Sequence, residues 1–505
     1  MSKAMICSCE DVTVDDIRHA VSRGFCDVES VKRYTGFGTG ICQGKSCTAA
    51  VAALLEKEKA LKPAAVVPFT PRPPLYPTEL RLMASAPVDE SQPPVGGLPQ
   101  EVDHFPAALR PEGPVPAKAK VVIIGGGIMG LALAYNLARA GETDVVVLER
   151  GYLCAGASGR NGGGVRMQWG TPSLVELAKR SIELMKGFAR ELGINVWLRQ
   201  GGYLFLAKTK PVAQRLERNV SLHNRFGVPT RLITPDEARD IVPGLTMKDS
   251  LIASYNPEDG VIFPWPFLWG YAQGCQKRGV RVETYTDVTG FETSGGQVRK
   301  VKTTRGDIAC DTVVLAAGAW SPQVAKLADV KLPNEPHRHE ILSTEPLKPF
   351  LGPLVSVLDS GLYFSQSMRG EIVGGMGDAK EPAGLNMGST LRFVSRFAQA
   401  LMEQLPQVGH VKVLRQWAGC YDVTPDNNPI LGRTPGLDNL LQMSGFVGHG
   451  FMMAPAVAER MARWMATGES DELFTRFNLR RYTDAAGHAR EFGTGTLERE
   501  DMVIG

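Results

Sequence analysis

Two spacings in this sequence could support chemistry. The first is a set of cysteines in two tight pairs: Cys7 and Cys9 in MICSCEDV form C-x-C, and Cys42 and Cys47 in GICQGKSC form C-x4-C. Thiolates clustered in this way can hold zinc, hold iron and sulfide, or join as disulfides. Structural zinc sites favour C-x2-4-C knuckles, to which C-x-C is a poor match. Two irons bridged by sulfide can instead take one thiolate pair each. The second spacing is a glycine turn. KVVIIGGGIMGLALAYNLARAG reads as buried strand, turn and helix, with Gly125, Gly127 and Gly130 at the G-x-G-x-x-G positions. The first glycine permits the turn, the second lets backbone approach a pyrophosphate, and the third lets helix pack on strand. Ile128 and Met129 open that helix, whose N-terminus offers N–H groups and a positive dipole end to phosphate. Glu149 ends the next strand, DVVVLER, where its carboxylate can accept hydrogen bonds from an adenosine ribose, with Arg150 following it. The glycine turn by itself does not separate NAD from FAD.

The elements that must position these residues divide the chain unevenly. At 505 residues it is too long for one core and implies roughly two to four domains at about 150 residues each. DVTVDDIRHAVSRG carries an apolar helical face at Val14, Ile17 and Val21 with Thr13 as N-cap, and CTAAVAALLEKEKA is a second helix beginning at the second cysteine pair. Residues 62–117 are proline-rich, as in PFTPRPPLYP and RPEGPVP, and read as a semi-rigid linker lying across a neighbouring domain or partner. From Lys118 short apolar strands alternate with helices, and GGYLFLA, RVETYTDVTGFE and CDTVVLAAGAW are further strands. The division expected is a small helical domain at 1–61, the linker at 62–117, an α/β Rossmann-like domain with a mixed-sheet substrate domain at 118–470, and a tail at 471–505.

Composition excludes little else. Apolar residues make up 43%, charged residues 22% and the net charge is +3, which gives no sign of a nucleic-acid partner. The start has no apolar core of signal-peptide length, and no run of about 18 apolar residues could span a bilayer, so a soluble cytoplasmic protein is expected. The remaining cysteines, Cys26, Cys154, Cys275, Cys310 and Cys420, are scattered. In a reducing compartment such a pattern points to metal or redox chemistry at the two pairs.

The loop ERGYLCAGASGRNGGGVRMQW, with Ser158, Arg160, Asn161, Gly162 and Gly163, resembles that of the FAD-dependent amino acid oxidase and dehydrogenase family, which includes D-amino acid oxidase, glycine oxidase and the beta subunit of heteromeric sarcosine oxidase. Three further segments carry the resemblance. VVLAAGAWSP, with Ala317, Gly318 and Trp320, is similar to the family's third FAD-contacting strand, and Val288 in DVTGFE to its backbone contact with adenine. QWAGCYDVTPDNNPILGRTPGLDNLLQMSGFVGHGFMMAP is similar to the closing flavin signature, which implies FAD contacts at Gly445, Gly448, His449, Gly450, Phe451 and Met452. Glycines there let N–H groups approach the ring's pyrimidine edge, where donors favour the reduced form.

The resemblance implies hydride removal from a carbon next to nitrogen, with FAD as acceptor. In glycine oxidase-like members an arginine holds the substrate carboxylate, but the matching position in AGCYDVTPD is Tyr421, whose phenol cannot form a bidentate ion pair. Arg369 and Arg166 are the substitute cations, and Tyr421, Arg369, His449 and Arg166 are the expected catalytic set. Heteromeric sarcosine oxidase tethers FMN through a histidine in the stretch resembling GVIFPWPFLWGYAQG, where this chain has Pro264 and Trp265. Any FMN at a subunit interface should therefore be non-covalent.

The cysteine segment, with GTGICQGKSC, is similar to the bacterioferritin-associated ferredoxin type of 2Fe-2S domain, which implies Cys7, Cys9, Cys42 and Cys47 as cluster ligands. A flavin takes two electrons together, whereas a 2Fe-2S centre passes them singly, so a dehydrogenase outranks an oxidase. The implied protein is the catalytic subunit of a heteromeric dehydrogenase for a secondary amino acid or amine of sarcosine, proline, hydroxyproline or opine type, with a partner subunit bearing its own nucleotide site. Oxidation of glycine to cyanide, as in hydrogen cyanide synthase, and a non-catalytic electron-transfer or assembly subunit are the alternatives.

Overall fold

The structure is a computed structural model, and it describes residues 3–58, 69–70, 72–89, 91, 109 and 111–483. Residues 62–68, 71, 90, 92–108 and 110 of the expected linker and residues 484–505 of the expected tail lie outside these.

The N-terminal segment departs from the expected purely helical unit. Strand Met5–Cys7 pairs antiparallel with Val12–Thr13 before the first helix, Val14–Ser22. Thr13 caps that helix as its sequence predicts: its hydroxyl accepts from Asp16 N, and the Asp16 carboxylate accepts from Thr13 N at 2.8 Å. A helix at Val28–Thr35, absent from the sequence reading, is started by Asp27, which accepts from Ser30 N, and stopped by Gly36 at φ +82°. Buried Lys32 interrupts its apolar face, which is why periodicity misses it. The helix expected after the second cysteine pair is Thr48–Lys57.

Two sheets carry the rest. The first is eight-stranded and follows the order Arg281–Glu283, Val145–Leu148, Lys118–Ile124, Gly306–Leu315, with parallel pairing throughout that core. Val121–Ile124 are buried without alternation, as a strand covered on both faces must be. Leu437–Ser444 joins Gly306–Leu315 in parallel, and helices Ile128–Arg139, Pro172–Leu192, Pro264–Lys277 and Gly450–Thr467 share one apolar core with the sheet.

The second sheet has nine strands and is mixed, as expected for a substrate domain. Its long strands, Glu335–Pro346 and Lys412–Val423, pair antiparallel, and Glu371–Gly375 and Leu362–Gln366 follow on the other side of Glu335–Pro346. Helix Leu391–Gln404 covers one face through Phe393, Phe397 and Leu401. Part of the proline-rich stretch lies on this domain: Thr78–Glu79 extends the sheet beside Lys412 and Val413, and Leu80 is fully buried.

The N-terminal segment is docked on the first domain. Phe25 packs on Trp269 at 4.5 Å between ring centroids and on Tyr34 at 4.7 Å. Arg33 pairs with Glu29 at 2.6 Å, donates to the Tyr152 hydroxyl at 2.7 Å and lies over the Tyr152 and Trp265 rings.

Candidate functional site

The turn after Lys118–Ile124 opens onto a cleft of about 1200 Å3, counted with its open mouth. The glycines are there for steric reasons. A Cβ on Gly125, which has φ +118°, would lie 2.4 Å from Ala316 O, and one on Gly130 would lie 2.0 Å from Gly125 O. Gly125, Gly127, Ile128, Met129, Glu149 and Arg150 all line the cavity. Glu149 is anchored by Gly126 N and Gly151 N, each at 2.9 Å, and burial raises its pKa. Ser158 Oγ accepts from Ile128 N at 3.0 Å and joins the glycine-rich loop to the helix N-terminus.

Val288, Ala317, Gly318, Trp320, Asn161, Gly448, Gly450 and Phe451 also reach this cavity. The remaining expected cofactor residues do other work. Arg160 donates from Nε to Ala155 O at 2.8 Å and from Nη1 to Ala418 O at 3.2 Å, tying the loop to the second sheet. Gly163 packs against the Ile262 carbonyl, Gly162 lines a second cavity, and Met452 is buried in the helical core. Gly445 supports the flavin-signature loop from behind, since its N–H donates to Asp422 at 2.6 Å.

Asp422 is a buried carboxylate that holds this loop and that sequence reasoning misses. Burial pushes its carboxyl up to about 6 against the backbone donors Gly445, Phe446 and Val447, which hold it. Those contacts fix a loop in which Val447 takes φ +50° and Gly448 φ +80°, a conformation that costs a β-branched residue of order 1–3 kcal/mol. The Tyr421 ring lies so close to Gly448 that a Cβ there would be 2.4 Å from it. Two observations test the fit of FAD. The cavity is walled by glycines that leave backbone bare, and the buried Trp320 indole N–H on its wall has no acceptor in the protein. The residues fit an extended dinucleotide.

Of the four expected catalytic residues, three come together. Arg166 is buried with its guanidinium 3.9 Å over the Trp169 ring and Nη2 3.4 Å from His449 Nε2. Burial, with Arg166 alongside, holds His449 well below its ordinary pKa, so its ring is neutral. Asp259 holds the backbone that presents Arg166: it accepts from Met167 N at 2.7 Å and from Gln168 Nε2 at 3.1 Å. Tyr421 completes the group beside Gly448. Arg369 does not join it. Its guanidinium pairs with Glu10 of the N-terminal segment and with Glu371 at 3.6 Å.

Arg369 lines a second cavity of about 1150 Å3 between helix Val28–Thr35, the 159–162 loop, the 261–265 segment and the second sheet. Lys32, Arg33, Arg72 and Arg415 line it as well, with Trp265 and Trp417. Burial pushes Lys32 down to about 7 and Arg72 to about 9. Arg33 Nε and Arg415 Nη1 are buried donors without a protein acceptor. The sequence places a possible FMN at a subunit interface; this cavity lies within the one chain.

The four N-terminal cysteines stand as two side-chain pairs, Cys9 with Cys42 and Cys7 with Cys47. Cys7 and Cys47 are buried and Cys9 is exposed. A Cβ on Gly40 would lie 2.4 Å from Cys9 Cβ, so a glycine is required for that approach. Burial raises Cys42, but donors from Ser46, Cys9 and Gly44 outweigh it and favour the thiolate. Among the described residues the cysteines are free thiols, and no three or more His, Cys, Asp or Glu side chains form a closed metal-binding group. Nor is any described helix long and apolar enough to cross a membrane.

The FAD dependent oxidoreductase family model matches residues 120–464, and the sarcosine oxidase A3 domain model matches residues 1–86. The chain is 32% identical over 367 residues to the sarcosine oxidase subunit beta of Rhizobium meliloti (strain 1021), covering 72% of this chain and 88% of that protein. The L-proline dehydrogenase from P. horikoshii superposes with a TM-score of 0.69 at 36% identity, over 73% of this chain and 98% of that one. The glycine oxidase from Geobacillus kaustophilus, at 24% identity and a TM-score of 0.67 over 73% of this chain and all of that one, shares the fold.

Proposed function

The chain belongs to the FAD dependent oxidoreductase family, and from that premise we propose that it dehydrogenates a secondary amino acid or amine of sarcosine, proline, hydroxyproline or opine type. It is an FAD-dependent oxidoreductase of the sarcosine oxidase beta kind, acting on a carbon–nitrogen bond. The substrate class is supported by the names of two relatives, a sarcosine oxidase subunit and an L-proline dehydrogenase. The observation that carries it is the group of buried Arg166 and His449 with half-buried Tyr421 against the loop that walls the flavin cavity.

When bound, FAD supplies the acceptor for the electron pair and proton leaving the substrate's carbon–nitrogen unit. The chain's own residues do the rest. Arg166 supplies a cation for the carboxylate in a dry site, where an ion pair is strong and directional. Neutral His449 keeps a second positive charge out of that site. Asp422 fixes the 445–450 loop so that its backbone is held in place before substrate arrives.

The N-terminal segment matches a sarcosine oxidase A3 domain, and we assign its four thiols to a 2Fe-2S cluster on the chemistry of the donor set: two cysteine pairs, one held by backbone N–H groups. The second cavity suits non-covalent FMN, since buried cations match a phosphate and Trp265 supplies a flat apolar wall. The domain limits 1–61, 62–117, 118–470 and 471–505 belong to the same reading. So does association with a further subunit bearing its own nucleotide site.

The test is anaerobic addition of sarcosine, L-proline, hydroxyproline, an opine and glycine to the purified full chain, co-expressed with its neighbouring gene products. Bleaching of the flavin absorbance by a secondary amino acid supports the proposal. Bleaching by none of them defeats it. Iron, acid-labile sulfide and flavins released on denaturation are measured on the same sample.

A further inference from the structure

The second sheet places three side chains on the face turned to the flavin loops, and two of them, His339 and Tyr363, have no part in the mechanism above. Tyr421 pairs with His337 across the long antiparallel strands, and His339 pairs with Gly419, so His339 and Tyr421 are diagonal neighbours on one face. Their rings stack at 4.7 Å with an interplanar angle of 11°. On the other side, Tyr363 pairs with Gly375, which also pairs with Ile341. That register puts Tyr363 on the same face, its ring 5.7 Å from His339 and nearly parallel to it.

Gly375 is what lets them meet. A Cβ there would lie 2.6 Å from Tyr363 Oη and 2.8 Å from His339 Nε2. Across that bare position Tyr363 Oη stands 3.1 Å from His339 Nε2, and Tyr363 is hydrogen-bonded to Tyr421. The row abuts the cofactor loops at both ends: Gly448 lies against Tyr421, and Gly162 lies near Tyr363. His339 is buried, and burial pushes it down to about 4, so its ring is neutral and offers one acceptor nitrogen. Burial raises both phenols, which therefore keep their protons.

We propose that His339 is a positioning residue that accepts the Tyr363 hydroxyl proton in a hydrogen bond, so that Tyr363 accepts from Tyr421 and the Tyr421 oxygen presents a lone pair to the substrate's amine N–H. Each hydroxyl has one proton to donate, so fixing the last acceptor fixes the direction of the whole row. Tyr421 then recognises nitrogen, and Arg166 is left with the carboxylate. This rests on the substrate class proposed above.

The experiment compares ligands that differ only at nitrogen. FAD-loaded full-length wild type and the variants Tyr363→Phe, His339→Leu and His339→Gln are titrated anaerobically with sarcosine and L-proline. They are also titrated with methylthioacetate and tetrahydrofuran-2-carboxylate, in which sulfur or oxygen replaces N–H, and binding is read from the flavin spectrum. Tyr363→Phe and His339→Leu should weaken the amines by about fivefold, the loss of one neutral hydrogen bond. The thioether and ether should be unaffected, and His339→Gln, which keeps an acceptor, should retain most of the amine affinity. Equal weakening of amines and their analogues would mean that the row donates to the carboxylate, and overturns the proposal. Unchanged amine binding in Tyr363→Phe, a variant that removes one oxygen and little packing, overturns it too. Wild type that no secondary amino acid bleaches defeats the substrate reading itself, and this inference with it.

Discussion

The two cavities are nearly equal in size, about 1200 and 1150 Å3, yet they are built from opposite materials. The flavin cavity is walled by bare backbone at Gly125, Gly127, Gly318, Gly448 and Gly450, with few side-chain charges beyond Glu149, Arg150, Asp287 and Asp422. The second is walled by Lys32, Arg33, Arg72, Arg369 and Arg415, drawn from the N-terminal segment, the proline-rich stretch and the second sheet. A backbone site needs glycines at fixed spacing inside one or two local motifs. A side-chain site needs only that long cations converge, and they can come from anywhere in the chain.

The difference makes each cavity separately breakable, and the largest effect belongs to the second. Arg33→Met leaves Glu29 buried with its ion pair gone. Burial raises the Glu29 carboxyl, but Arg33 beside it, with Lys32 and Arg72, brings it down to about 2. Removing one partner of a buried pair costs about 3–5 kcal/mol, and this loss should appear in denaturant unfolding at neutral pH. The sign with pH follows. A folded pKa near 2 against the ordinary 4.5 gives stability that is present above the unfolded value and lost as pH falls through the window between them. Wild type should lose that contribution on acidification, and Arg33→Met should show a flatter dependence. Equal slopes would mean that the Glu29–Arg33 pair within helix Val28–Thr35 is not the source of the acid sensitivity.

Gly130→Ala is the converse. The new methyl would collide with the Gly125 carbonyl at 2.0 Å, so helix and turn must part. Overpacking of this kind costs about 1–3 kcal/mol, and the purified protein should carry little FAD while its N-terminal segment stays docked. Normal FAD content in that variant would break the account of the glycine turn.

Lys32→Met changes charge more than shape and should spare FAD. Burial, the leading cause, pushes Lys32 down to about 7, so the unfolded chain binds more protons between there and the ordinary 10.5. In the ligand-free protein stability should therefore rise with pH across that window, and Lys32→Met should abolish the rise. A phosphate ligand favours the protonated amine, so FMN affinity should be highest below about 7 and fall above it. Titration of the full chain with FMN from pH 6 to 9 checks this, with a loss of about tenfold expected in the variant.

Legibility in the sequence follows the same division. The strand, turn and helix around Gly125 are readable because each glycine has a local steric duty, and Thr13 is readable as a cap because its partner Asp16 is three residues away. The pairing of Arg369 with Glu10 is not readable in the sequence, because the two are distant along the chain and only folding brings them together. The helix Val28–Thr35 escapes it because Lys32, and Arg33 with it, turn inward to a cavity, which erases the polar face periodicity needs. His339 and Tyr363 carry no motif at all. Their meeting depends on register across three strands and on the missing side chain of Gly375, and no single segment records that.

The smallest effect tests whether the cysteine segment and the flavin domain are one cooperative unit. Thr13→Ala removes a hydroxyl that accepts from Asp16 N, and the capping box loses one of its two arms. Such a loss costs about 1 kcal/mol, roughly a fivefold change in an opening equilibrium. Helix Val14–Ser22 packs on Val28–Thr35, which carries Lys32 and Arg33 to the second cavity. If the docking through Phe25, Trp269 and Arg33 makes a single unit, the penalty is shared and amides in both domains exchange faster together. The geometry of the cap favours the narrower outcome, because the hydrogen bonds between Thr13 and Asp16 all lie within the first turn of their own helix. Hydrogen exchange should therefore quicken about fivefold over Val14–Ser22 and leave the amides of Lys118–Ile124 unchanged, and uniform acceleration would show that the two cavities, although built differently, stand or fall as one.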